Sequence, residues 1–129
     1  MRVAALYDIH GNAPALEAAL AGVGAAGVDA VVVGGDVVEG PQPAETLRLL
    51  GAIELPILWV RGNCDREPSE WVTQRLDSDR VEWLRSLPEA QTIEIRGLGW
   101  TRFCHGSPRS DEDIVTAVSA AERVAPMLA

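Results

Sequence analysis

The chain contains two histidines, and each lies among carboxylate, amide or thiol side chains just past an apolar run. Four such blocks occur. Asp8-Ile9-His10-Gly11-Asn12 follows Val3 to Tyr7, and Gly34-Gly35-Asp36 follows Val31-Val32-Val33. Gly62-Asn63-Cys64-Asp65 follows Ile57 to Val60, and Cys104-His105-Gly106 follows Trp100 to Phe103. Ligands of open α/β sheets gather at the carboxyl ends of strands, so side chains this far apart in sequence can converge there. Asp8, Asp36, His10, His105 and Asn63 would supply two carboxylates, two imidazoles and an amide oxygen. A mixed N/O set suits Mn, Fe, Zn or Ni better than the thiolate-loving metals. Asp36 stands in the middle of the set and can bridge two ions. A pair of ions about 3.5–4 Å apart can hold a hydroxide and stabilise in-line attack at phosphorus. Asp8 and His10 are two residues apart, a spacing that in an extended strand puts both on one face, within reach of one ion.

In this order, D-x-H-G-N, G-G-D, G-N-C-D and H-G resemble the calcineurin-like metallophosphoesterases, particularly their small bacterial and archaeal branch. The resemblance covers most of the chain. It implies Asp8 and His10 on a first metal, Asn63 and His105 on a second, and Asp36 bridging them. It further implies an orienting role for Asp65 and places Asn12 beside the site. Larger family members usually read G-N-H in the third block, where the histidine is regarded as a proton donor or phosphate contact; here that position is Cys64. The family's last block, G-H-x-H, is absent from this sequence, so each metal keeps three of the expected protein ligands. The fold class expected is α/β: a metallophosphoesterase-type layered β-sheet core flanked by helices and C-terminally incomplete. On that expectation an uncovered sheet edge would favour self-association, giving a homo-oligomer.

Composition agrees with a globular enzyme in one α/β domain spanning residues 1–129. Hydrophobic residues make up 47% of the chain, which argues against disorder. There is no apolar run long enough for a bilayer span and no signal-peptide pattern, so a cytoplasmic location is expected. A formal net charge of −8 argues against non-specific nucleic-acid binding, which relies on cationic side chains. It is compatible with a small phosphorylated substrate, because two divalent cations would reverse the local sign. Two cysteines, Cys64 and Cys104, do not make a disulfide framework and read as reduced, partly buried small hydrophobes.

The elements needed to carry these blocks alternate along the chain. Leu16, Ala19, Leu20 and Val23 recur as one helical face, with Asn12 as its cap and Pro14 in its first turn. A strand over residues 29–35 is apolar in succession, as for a strand covered on both faces. A helix over 43–50 begins at proline and ends at Gly51, and a strand over 58–61 leads into Gly62. Short helices are expected over 69–76 and 79–87, the latter opening Asp79-x-x-Glu82 and stopped by Pro88. Thr92 to Arg96, the Gly97-Leu98-Gly99 turn and the run to Cys104 read as a β-hairpin. Ser110-x-x-Asp113 predicts a final helix, with Ile114, Val118, Ala121 and Ala125 on one face. The four tryptophans are expected between helices and sheet.

Gly22-x-Gly24-x-x-Gly27 matches the dinucleotide fingerprint but follows a helix and precedes a strand, the reverse of the context that gives it mechanical sense. Arg109, just past His105, could hold a phosphate oxygen through its fork. Taken singly, each block reads as an ordinary turn; together, at four strand ends, they point to a metal site. The functional expectation is a metal-dependent phosphoesterase with a metal-bridging hydroxide, using two divalent ions: Mn first, with Fe, Zn or Ni as alternatives. Asp36, Asp65 and Cys64 are its catalytic candidates, and Asn12 and Arg109 its substrate contacts. The competing expectations are a catalytically silent binding or regulatory remnant of the same fold, and a site completed by a partner chain.

Overall fold

The computed structural model describes residues 1–129. Three short parallel strands form the centre: β1 (Val3–Leu6), β2 (Ala30–Val33) and β3 (Ile57–Trp59), in the spatial order β1-β2-β3. Val3 pairs with Ala30 and Leu6 with Val33, while Val31 pairs with Ile57 and Val33 with Trp59. Helices α1 (Ala13–Ala26) and α2 (Pro43–Gly51) make the two crossovers that parallel strands require. Every residue of β2 is buried, which explains its unbroken apolar run.

Local chemistry sets the ends of the helices. The Asn12 side chain accepts the Ala15 N–H at 3.1 Å, capping α1, and Gly27 ends it in the left-handed region. Two of the three glycines of the apparent dinucleotide motif therefore lie inside α1 and the third terminates it. Beyond β3 come three short helices: α3 (Asn63–Arg66), α4 (Glu70–Thr73) and α5 (Ser78–Ser86). The cap of α5 is Asp77, whose carboxylate accepts the Arg80 N–H at 2.9 Å, so the expected Asp79–Glu82 box is not the start. Leu16 of α1, Leu50 of α2, Val72 of α4 and Val81 and Leu84 of α5 join Val31 and Val33 in the main core.

A separate antiparallel hairpin, β4 (Ala90–Ile95) and β5 (Gly99–Cys104), carries the fourth block at its end. The expected final helix is only partly formed. Residues 110–119 are irregular, and α6 covers Ala121–Leu128. Ile114 and Val118, two of its predicted inward positions, are 70% and 93% exposed. Asp113 does not act as a capping-box partner: its carboxylate takes the Ser107 hydroxyl at 2.7 Å and both arms of the Arg109 fork. The β-branched run Ile114-Val115-Thr116 adds little helical preference to resist this. The tryptophans divide as well. Trp59 and Trp83 pack edge to face at 4.9 Å, whereas Trp100 is 75% exposed and Trp71 lies at the surface beneath Arg75. No helix is long and apolar enough to cross a membrane.

Candidate metal centre

The first three blocks lie just past β1, β2 and β3, and the fourth runs off the end of β5. Their side chains meet. His10 Nε2 stands 3.6 Å from Asp8 Oδ1 and 3.4 Å from Asp36 Oδ2. His105 Nε2 stands 3.9 Å from Asp8 Oδ1 and 3.5 Å from Asp36 Oδ2. Asp36 is thus the shared member, with both imidazoles on one of its oxygens. The ligand atoms of Asp8, Asp36 and His105 lie within 4.8 Å of one another, as do those of His10, Asp36 and Cys64. Asp8 lies nearer His10, at 3.6 Å, than His105, at 3.9 Å, and both imidazoles share Asp36. Asn63 lines the same depression as Asp8, Asp36 and His105, and its amide nitrogen donates to Cys64 Sγ at 3.6 Å.

The backbone at the centre is unusual. Asp8, His10 and Asp36 have φ of 52°, 48° and 53°, and no other non-glycine residue of the chain has positive φ. Such conformations are sparsely populated for residues with a Cβ and persist where the surroundings impose them. Asp8 and His10 are therefore not on one face of an extended strand. They converge because the chain turns twice through the left-handed region beyond Leu6. Backbone hydrogen bonds hold this path: Asp8 N–H to the Gly35 carbonyl at 3.2 Å and His10 N–H to that of Asp36 at 2.9 Å.

Each imidazole is fixed from behind. His10 Nδ1 is 3.0 Å from the Glu39 carbonyl, and His105 Nδ1 is 2.8 Å from the Gly34 carbonyl. A carbonyl can only accept, so each Nδ1 carries hydrogen and Nε2 faces the carboxylates. A partner of this type commonly sets the tautomer and ring orientation of metal-binding histidines. The hydrogen bond with Asp36 raises the His105 pKa to about 9, against the opposing effect of burial. Burial pushes the Asp36 carboxyl up, but its bonds with His105 and the Cys64 N–H prevail and leave it below the usual range.

Asp65 is fully buried and accepts three backbone N–H groups: Asp36 at 2.8 Å, Val37 at 2.9 Å and Gly62 at 2.8 Å. It ties the second block to the third. Asp36 reciprocates, with Oδ1 accepting the Cys64 N–H at 2.9 Å. Burial raises the Asp65 carboxyl while the three donors oppose that rise. Close approach requires glycine here. A Cβ on Gly35, which has φ of +98°, would lie 2.6 Å from Gly62 N and 2.8 Å from His105 Nδ1, and one on Gly62 would overlap the Asp36 carboxylate.

The remaining candidates are placed differently. Burial, reinforced by Asp36, pushes the Cys64 thiol up to about 12, so it keeps its proton at neutral pH. Asn12 uses its side-chain oxygen as the α1 cap. Arg109 does not offer a free fork: Nε and Nη2 bond Asp113 at 3.0 and 2.8 Å. Cys64 and Cys104 are unbridged and half-buried. Sequence reasoning did not find Glu39, or the part Gly34 plays, because both act through carbonyls that any residue possesses.

The donor set fits a divalent metal centre: two carboxylates and two oriented imidazoles converge on one small volume, as borderline metals prefer. Comparison with known proteins agrees. No curated protein sequence matches the chain. Among solved structures it is similar to a metallophosphoesterase from Sphaerobacter thermophilus, with TM-score 0.70, 29% identity and coverage of 88% of this chain and 51% of that one. It is also similar to Yfce, a phosphoesterase from E. coli, with TM-score 0.62, 25% identity and coverage of 90% of this chain and 63% of that one. The chain thus spans about half to two-thirds of the length of these proteins. The model of the calcineurin-like phosphoesterase superfamily domain matches residues 1–128, and the chain belongs to that superfamily.

Proposed function

We propose that the protein hydrolyses a phosphate monoester or diester at the cluster formed by Asp8, His10, Asp36 and His105, using two divalent ions, Mn for preference. The observation that carries this reading is the convergence of both imidazoles on Asp36, with Asp8, His10 and Asp36 all held in left-handed backbone. Asp36 would bridge the ions, with Asp8 and His10 on one side and Asn63 and His105 on the other. When bound, the ions would acidify water toward a nucleophile near neutral pH and offset the charge of the phosphate.

The chain's own residues supply position. Asp36 has one oxygen held by the Cys64 N–H and the other turned toward both imidazoles. The Gly34 and Glu39 carbonyls keep both Nε2 atoms facing inward. Asp65 locks the turns that carry Asp36 and Asn63. The site opens into a depression of about 520 Å³, roomy enough for a small phosphorylated substrate and water. Burial and the Asp36 carboxylate hold the Cys64 thiol protonated in the metal-free chain, and this reading assigns the leaving-group proton to solvent.

Hydrolysis of nitrophenyl phosphate with and without added Mn tests the reading. Activity is expected only with metal, and Asp36→Asn is expected to remove it. Metal-independent hydrolysis, or full activity in Asp36→Asn, would refute the assignment.

A further inference from the structure

A second depression of about 420 Å³ adjoins the metal centre and shares His105 and Cys104 with it. Four of the chain's 11 cationic side chains line it: Arg61, Arg66, Arg102 and Arg109. That concentration is unexpected in a chain of net charge −8. Three of the four are occupied. Arg61 pairs with Glu89 at 2.9 Å, Arg66 with Asp111 at 3.0 Å and Glu112 at 3.1 Å, and Arg109 with Asp113 at 2.8 Å. Glu89, Asp111 and Glu112, the acidic residues that line the depression, all sit in these pairs, two of them on Arg66, which also meets Glu67. Arg102 has no ion pair and no side-chain hydrogen bond, so its guanidinium is the one of the four left unengaged.

Its position relates it to the chemistry. Arg102 and Cys104 are two residues apart in β5, opposite Thr92 and Ala90 of β4, and so share one face of the hairpin. His105 follows at once. Arg102 is three residues from His105, about 10 Å of extended chain, and both line this depression, so an anion held by Arg102 would lie a few bonds beyond a phosphate at the metal centre. A guanidinium offers a fork of donors matched to carboxylate or phosphate. We infer that Arg102 is a specificity-determining residue that binds a second anionic group, carboxylate or phosphate, on the alcohol portion of the ester. This rests on the phosphoesterase reading. It also moves the anion contact expected at Arg109 to an arginine whose fork is free.

The test compares matched esters with metal-loaded protein: glycerol 3-phosphate against 3-phosphoglycerate, and fructose 6-phosphate against fructose 1,6-bisphosphate. The charged member of the preferred pair is expected to have a KM lower by about tenfold or more, as one hydrogen-bonded charge contact supplies. The pair showing the larger difference tells carboxylate from phosphate. Arg102→Ala should raise KM for the charged esters, leave the uncharged ones and kcat unchanged, and Arg102→Lys should restore part of the loss. Equal KM within both pairs, or an equal effect of Arg102→Ala on all four esters, would overturn the inference. Calorimetry with inorganic pyrophosphate and metal-free protein keeps the inference separate from the catalytic reading. Binding that survives Asp36→Asn and is lost in Arg102→Ala supports the pocket even if no ester is hydrolysed. Binding unaffected by Arg102→Ala, or none, refutes it.

Discussion

The Nδ1 of His105 lies 2.8 Å from the carbonyl oxygen of Gly34, the residue that opens the Gly34-Gly35-Asp36 turn. One hydrogen bond thus joins the last block to the turn that carries Asp36, across 71 positions of sequence. It aims Nε2 at the Asp36 carboxylate, so ring orientation and carboxylate position are set by the same turn.

That arrangement makes metal binding release a proton. Before metal binds, the His105 pKa stands at about 9, chiefly through its bond with Asp36. At neutral pH the imidazole is charged and must lose its Nε2 proton to ligate a metal. Calorimetric titration with Mn in buffers of different ionisation enthalpy should show about one proton released near neutrality, and less as pH rises past 9. Enthalpies independent of buffer would contradict this.

The same group gives the metal-free protein a pH-dependent stability. Its folded pKa lies above the ordinary 6.5, so the contribution is fully present below 6.5 and is lost as pH rises through about 9. Thermal unfolding of chelated protein should show this decline, and His105→Gln should flatten it over the same window. A profile that His105→Gln leaves unchanged would mean that another group is responsible.

Asp65→Asn tests the tie between the second and third blocks. The amide keeps one acceptor but turns an NH2 toward backbone N–H donors that now bond a carboxylate. Leaving buried donors unmatched costs about 1–3 kcal/mol each, so denaturant unfolding should show a loss of that order or more. Mn affinity should fall about 10–100-fold, as when groups supporting metal ligands are removed. Unchanged stability and affinity would show that the three bonds are dispensable.

Cys64→Ser should change activity by less than tenfold. The thiol keeps its proton to about 12, serine retains the backbone N–H bond to Asp36, and its hydroxyl can replace the thiol's own bond to that carboxylate. Loss of activity comparable with Asp36→Asn would make the sulfur itself a participant.

Much of this was legible in sequence. The β2 run and the helical spacing of Leu16, Leu20 and Val23 revealed the layered sheet, because burial on one or two faces imposes those periods. The four blocks marked the strand ends. The carbonyls of Gly34 and Glu39 left no signal, since a carbonyl has no residue identity. Left-handed backbone at Asp8, His10 and Asp36 was likewise hidden, because none is glycine and only the surroundings impose it. The helix expected from Ser110 failed for a related reason: Asp113 is taken by Ser107 and Arg109, and local periodicity does not reveal such competing partners. The phosphate contact expected at Arg109 meets the same competitor, since Asp113, four residues on, takes its fork.

The most direct test of the central claim is electron paramagnetic resonance of Mn titrated into the chelated 129-residue chain. The free-ion signal should be suppressed as Mn binds, and a spin-coupled spectrum should appear once two ions share Asp36. Asp36→Asn should abolish the coupling and weaken binding. A free-ion signal undiminished by protein, or the same coupled spectrum in Asp36→Asn, would contradict a metal centre built on Asp36.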